Sequence, residues 1–421
     1  MAPPLRSVFD PFAAALAAAC AFAAATLAQD ALEERIQRAL HLARKPLLTE
    51  LASTAGDPGQ LGLLCLAALH DGVPLEDSVL ADALARLAAA RIDATYALAL
   101  RLLCAEACAK FADRERAAQK DYSALLRNRD GGAFGYSPNA PHWDLSNTQY
   151  AALGLRAAAS LGVDVPRKVW SSLADAVMDA QHSGGGFSYQ PNQEVTASMT
   201  AAGIGVLAIC RQAMVAPGRR IPELDRRIDK AWKWLADHKG VVGDSAISWS
   251  YYFHYGLERA SILCDRTEIG GVDWYQQGAT MFVDEQRTDG GWASPHGRAF
   301  VRPGTAVSAV DTAFAVLFLR RRFQKIPTPL TEERRVVLAA LDEHAPPTAV
   351  DACVEGLVKR GKDCLPELLQ ALRSDVAPRR RACVRALAAI AGETFGLDPE
   401  LGAEANKDAL RRAELWYLKH R

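Results

Sequence analysis

The sequence predicts an all-α chain: an (α/α)6 toroid of six outer/inner helix pairs, followed by a short helical extension. Three observations carry this. A Gly-rich turn recurs with a period of 53 residues, a helix that is apolar over most of its circumference follows each turn, and an amphipathic helix precedes it. Self-similarity of that length marks a repeat architecture, in which one unit cannot bury its apolar face alone and must stack on its neighbours.

The turns read DGGAFGY from Asp130 to Tyr136, SGGGFSY from Ser183 to Tyr189 and DGGW from Asp289 to Trp292. Gly131 and Gly184 lie 53 residues apart, and Gly184 and Gly290 lie 106 apart, twice the period. A degenerate copy is therefore expected near position 237, within ADHKGVVGDSAISW. Inner helices are expected to start at Gln60, Thr95, Ser146, Thr196, Trp249 and Ser308, each small or apolar nearly all round, as a buried helix should be. Outer helices are expected over Ala31–Leu48, Leu75–Ala89, Arg114–Leu126, Arg167–Gln181, Leu224–Asp237 and Trp274–Gln286, where charges alternate with a narrower apolar stripe. The glycines supply the positive φ of tight outer-to-inner connections.

Of the 421 residues 50% are apolar and 23% charged, which is globular composition. Lys+Arg and Asp+Glu both number 49, so the basic excess of a dedicated nucleic-acid binder is missing. Beyond the N-terminus no apolar run reaches membrane-spanning length, which excludes a polytopic membrane protein and leaves membrane contact at most to the N-terminal segment. Residues 1–28 read as a signal peptide: Arg6 and the α-amino group, an Ala-rich stretch from Phe12 to Leu27, and a small-residue cleavage site at Thr26-Leu27-Ala28. Export to the periplasm or cell envelope is expected, with an uncleaved anchor or lipidation at Cys20 as alternatives. Cys65, Cys104, Cys210 and Cys264 each end an apolar helical run and read as small buried residues, so few or no disulfides are expected. After the toroid over 29–322, a linker and helix are expected over 323–348 and HEAT-like helical repeats over 349–421, most clearly in PRRRACVRALAAIAG. The Arg379-Arg380-Arg381 run reads as a solvated face.

Phe282, Gln286, Gly290, Gly291 and Trp292 stand at the spacing of a Gln-Trp repeat, and Gln181 with Gly184, Gly185 and Phe187 is a weaker copy. On these residues the chain resembles the α/α-toroid superfamily of squalene/hopene cyclases and protein-prenyltransferase β-subunits, over about residues 30 to 322. The stretch from Tyr255 to Trp292 looks most like an exported bacterial branch with prenyltransferase/squalene-oxidase repeats. The resemblance implies the toroid, with Gln bracing a helix end and Trp packing on the turn. It does not carry over the chemistry. No Asp-Asp pair exists, so the Asp-x-Asp-Asp acid of class II cyclases and the Asp-rich diphosphate–Mg²⁺ motif are both missing. The Asp, Cys and His zinc set of prenyltransferases and the Cys-Gly-Glu-Gln thioester are not matched either, and neither a metal nor a cofactor is expected.

Candidate functional residues follow from convergence. All inner helices run the same way, so their N-termini meet at one mouth, where Asp144, Asn147, Thr148, Thr196, Ser198, Thr200, Ser308, Asp311 and Thr312 cluster. They read either as caps, with Ser146/Gln149 and Ser308/Asp311 as capping boxes, or as a polar pocket. His254 and Glu258 share a face of a buried helix and are the best general acid/base candidates, with Asp311 as a second carboxylate. Trp143, Trp249, Tyr252 and Trp292 are candidates to line a cavity for an apolar molecule. The expected function is a binding or scaffold protein of the cell envelope, with a protein partner on the C-terminal repeats. The alternatives are a non-standard enzyme acting on an isoprenoid or lipid in the barrel, or on a carbohydrate through Glu258 and Asp311.

Overall fold

Asp57, Asp77, Asp144 and Asp273 each stand before a helix and accept the amide two or three residues on, so the carboxylates of the sequence set where helices begin. The computed structural model describes residues 11–108, 110–214, 221–296, 301, 307–320, 341–343, 345–374 and 376–420. The chain divides into two units, Met1–Ile326 and Pro327–Arg421.

In the first unit the outer helices are α1 (Pro11–Ser53), α3 (Ser78–Ala89), α5 (Arg114–Leu126), α7 (Arg167–Asp179), α9 (Pro222–Asp237) and α11 (Trp274–Glu285). The inner helices are α2 (Pro58–Asp71), α4 (Thr95–Ala107), α6 (Leu145–Ser160), α8 (Ala197–Met214), α10 (Ser250–Leu263) and α12 (Ala309–Arg320). The two classes differ as their sequences require. Every residue of α6 from Leu145 to Ala158 is buried, whereas α9 buries one stripe: Leu224, Ile228, Ala231, Trp232 and Leu235. Each inner helix packs on the next, and α12 packs back on α2; α1 likewise meets α11. The ring is closed. The first outer helix starts at Pro11, well before Ala31, because the Ala-rich N-terminal stretch continues the same helix. By length and composition α8 could cross a membrane, but it is a mostly buried member of the inner ring.

Closure is held by specific polar contacts. Asp71, at the end of α2, takes Arg320 of α12 at 2.6 Å and Arg44 of α1 at 2.8 Å. Gln286 donates through Nε2 to Gly290 O, tying its own turn, and to Ala39 O of α1, both at 2.8 Å. Gln181 repeats this, donating to Gly185 O and to Arg227 O of the next outer helix. Gly290, at φ +86°, lies so close to α1 that a Cβ would stand 2.4 Å from Leu42 O. Each glutamine thus fastens a Gly-rich turn to the following outer helix, and the glycine allows the approach. Arg101 and Asp121 join α4 to α5 through a buried two-pronged pair at 2.7 and 2.6 Å.

Short antiparallel hairpins shape the connections: β1 (Arg129–Asp130) with β2 (Ala133–Phe134), β3 (Phe187–Ser188) with β4 (Val195–Thr196), and β5 (Glu268–Ile269) with β6 (Val272–Asp273). The eight described cysteines are free thiols, and all but Cys264 are buried. Burial pushes the Cys65 thiol up to about 12.

The second unit contains helices Pro347–Arg360, Leu365–Ala371, Ala377–Ala391 and Lys407–His420 around its own core of Val350, Leu357, Leu368, Leu387 and Leu410. The arginine run is not a uniformly solvated face. Arg380 is buried and donates to Pro399 O and Ser374 O, holding the 393–406 connection, while Arg381 pairs with Glu400 at the surface. Most of the linker expected over 323–348 lies outside the described residues.

Candidate functional site

A repeated hydroxyl organises the mouth. Thr148 Oγ1 accepts the amide of Phe134 at 3.0 Å, Thr200 Oγ1 that of Phe187 at 3.1 Å, and Thr312 Oγ1 that of Trp292 at 3.1 Å. Thr148 and Thr200 also donate to the carbonyl four residues back. Each threonine clamps the aromatic of its Gly-rich turn to the start of an inner helix. These are structural roles, so Thr200 and Trp292 are not cavity residues. Trp292 is fully buried and gives its indole N–H to Phe282 O.

His254 holds the corresponding place in the degenerate repeat. Its Nδ1 lies 2.8 Å from Ser250 O, four residues back, and its Nε2 accepts from the amide of Gly243 at 3.0 Å. Both ring nitrogens are therefore engaged with backbone, and the partners fix the neutral tautomer with the proton on Nδ1. Burial lowers its pKa from 6.5 to about 4, since a second proton would also face the Gly243 N–H. Glu258 lies instead against Arg259, at 3.1 Å, and the Arg259 guanidinium lies over the Tyr255 ring at 3.2 Å. The general acid/base couple read from the sequence is thus not formed: the shared helix face is real, but each partner is committed elsewhere.

One consequence is a pH-dependent stability. The unfolded chain binds a proton at His254 near pH 6.5, and the folded chain resists it until about pH 4. The stabilisation is complete above that window and is lost as pH falls through it, by roughly 3 kcal/mol. In His254→Thr, which restores the residue of the sister repeats, urea melts at pH 7 and pH 4 should differ by about that much less than in the parent. An unchanged difference would contradict the assignment.

Asp144 caps α6, accepting from Asn147 N and Asn147 Nδ2, both at 2.8 Å. Asp311 accepts the Ser294 amide at 2.6 Å, and Ser308 Oγ accepts the Asp311 amide. Burial raises both carboxyls above their usual range. The expected Ser146/Gln149 capping box is not present, because the cap falls two residues earlier, at Asp144. Ser146 and Gln149 turn inward instead.

There aromatic side chains from four inner helices meet. Tyr252 of α10 donates to Gln149 Oε1 of α6 at 2.7 Å, across a ring in which α8 separates the two helices. Tyr150 of α6 stacks on Tyr252 and Tyr255 at 6.5 and 6.4 Å, and meets Tyr96 of α4 at a tilt, with ring centroids 4.3 Å apart. Phe314 of α12 closes the cluster against Tyr255 at 4.9 Å. Tyr96 and Tyr252 both bond Ser146. Burial pushes the tyrosine hydroxyls up, so they stay neutral. Of the expected cavity residues only Tyr252 belongs here. Tyr96, Tyr150 and Arg259 are not among the candidates of the sequence, and Gln149 is among them only as half of a capping box. The signal was an i, i+3, i+7 stripe of Tyr252, Tyr255 and Arg259 on one helix face.

Trp249 sits at the rim, 46% exposed and with a left-handed φ of +57°, its ring against His296 at 5.6 Å. Trp143 is not at the mouth. It lines a surface hollow beside the first Gly-rich turn. Among the described residues no group of three His, Cys, Asp or Glu is placed to hold a metal.

Comparison with family models and with curated proteins finds no match. Among solved structures the chain is similar to type II terpene cyclase MstE from Scytonema. With the substrate geranylgeranyl dihydroxybenzoate bound to an arginine-to-alanine variant, the TM-score is 0.46 at 14% identity, over 69% of this chain and 98% of that one. The ligand-free enzyme gives 0.44 at 13%, again over 69% and 98%. The closed ring of inner helices described above establishes the toroid on its own.

Proposed function

We propose that the chain is an exported binding or scaffold protein of the cell envelope that has kept the toroid and does not use its barrel as a reaction chamber. The observation that carries this reading is the tyrosine cluster on the axis. Tyr150 and Tyr252 meet from non-neighbouring inner helices and occupy the space where an apolar substrate would have to lie. The candidate acids add support, since Glu258 is committed to Arg259 and Asp311 to the Ser294 amide. A toroid without a recognised catalytic motif, and with tyrosines meeting between its inner helices, is best understood by its surfaces.

The test is mass spectrometry of small molecules that co-purify with the full chain expressed with its leader, alongside Trp249→Ala and Glu258→Gln. The expected result is no stoichiometric small molecule with any of the three. A lipid or isoprenoid held by the parent and lost from Glu258→Gln would overturn the reading in favour of an enzyme or lipid carrier.

A further inference from the structure

Of the clamps at the mouth, Thr148, Thr200 and Thr312 cannot titrate and His254 can. Each threonine accepts a turn amide on its hydroxyl, whereas His254 accepts the Gly243 amide on Nε2 while Nδ1 lies against Ser250 O. A hydroxyl keeps such a bond in acid. An imidazole loses it on protonation, because Nε2 then carries a hydrogen that faces the Gly243 N–H. The segment held by His254 is lightly tied elsewhere. Of residues 239–249 only Val242 is buried. Among the described residues its other side-chain hydrogen bonds to the body are Lys239 Nζ to Gly270 O at 2.9 Å, Ser250 Oγ to Asp244 O at 2.8 Å, Ser245 Oγ to Glu285 Oε1 at 2.8 Å, and Ser248 Oγ with His296 Nε2 at 3.2 Å. The segment ends at Trp249, whose left-handed φ of +57° strains a residue with a Cβ, and α10 starts there without a side-chain cap.

We infer that His254 is an acid-operated latch: when its ring takes a second proton it releases the 239–249 connection at the barrel mouth, while the ring of helices stays closed. The elements packed on the imidazole are apolar there. α11 presents Gly278 and Phe282, α12 presents Phe318, and α10 its own Phe253. Among the described residues the charged group acting on the ring is Asp244, in the connection itself, and it favours the proton. Burial outweighs it and holds the ring neutral from pH 6.5 down to about 4, so release grows through that window as pH falls. The whole shift corresponds to about 300-fold in the opening equilibrium of the connection. The loss of stability derived above then falls first on one connection, because the sister clamps do not titrate and the exposed segment has little burial to hold it. Release changes the rim, where Trp249 is exposed, so the mouth offers a different surface in acid. The inference is independent of the binding-protein reading, and its failure would leave that reading standing.

The experiment is hydrogen exchange of the full chain at pH 7 and pH 4, followed by mass spectrometry and corrected for the intrinsic exchange rate at each pH. It reads the latch at the amides of Val241, Val242 and Gly243, which are bonded to His238 O, Lys239 O and His254 Nε2. In the parent these should exchange up to about 300-fold faster at pH 4, with no further change in sub-denaturing urea, while the amides of α8 stay protected. In His254→Thr and in His254→Gln, neither of which titrates, the difference between the two pH values should vanish. Glutamine keeps an acceptor for the Gly243 amide should threonine prove too short to reach it. The contacts of Ser245 with Glu285 and of Ser248 with His296 are present in the parent and in both variants, so they cannot produce the contrast. Equal exchange at the two pH values in the parent, or a rise that both variants retain, would overturn the proposal. So would a rise shared by α8 and steepened by urea, which is the mark of global unfolding.

Discussion

Replacing Trp292 by alanine is expected to lower the stability of the toroid by about 3–5 kcal/mol, the usual cost of truncating a large buried aromatic. The side chain is fully buried between α11 and α12, and its indole N–H satisfies Phe282 O at 2.8 Å. Truncation leaves a cavity and an unpaired carbonyl together, at the last repeat, where the ring closes on α1 and α2. Phe134 and Phe187 hold the same place in the sister turns, clamped by Thr148 and Thr200. Trp292→Phe should therefore lose clearly less than Trp292→Ala, because the turn already accepts a phenyl ring elsewhere. Urea denaturation followed by far-ultraviolet circular dichroism measures both. Equal losses would show that the indole hydrogen bond, and not the ring, carries the closure.

Tyr150→Ala should cost a similar amount, about 3–5 kcal/mol, and should also change what the barrel can hold. Tyr150 is the hub of the axial cluster, touching Tyr96 of α4 and Tyr252 and Tyr255 of α10, two inner helices besides its own. Its removal opens an aromatic-walled space at the centre, and an apolar cavity of that kind takes up apolar ligands when its walls cannot collapse. The surrounding helices resist collapse because each is packed on two neighbours in a closed ring.

Much of the architecture was legible because it repeats. The outer helix α5 spans Arg114–Leu126, as its charge pattern indicates, and the inner helices begin within a residue or two of their expected starts. Period and amphipathicity are local properties, and they survive translation into structure. The site was less legible, because hydrogen-bond partners come from other elements. Thr148 and Thr200 read as caps, yet each clamps a turn over ten residues earlier in the chain. His254 looked like half of a catalytic couple, and only its contacts with Ser250 O and the Gly243 amide assign it to the clamp. Glu258 was matched to the residue four back on its face, and its counter-ion turned out to be its neighbour Arg259. Trp143 precedes the cap of α6, where the chain is still outside the ring, so its ring lies by the first turn and not at the mouth.

The central claim, that the axis of this toroid is filled by its own side chains, is tested most directly by titrating geranylgeraniol into the full chain and into Tyr150→Ala by isothermal calorimetry. The account predicts no saturable heat with the parent and one-site binding with the variant. Saturable, stoichiometric binding by the parent that Tyr150→Ala abolishes would contradict it.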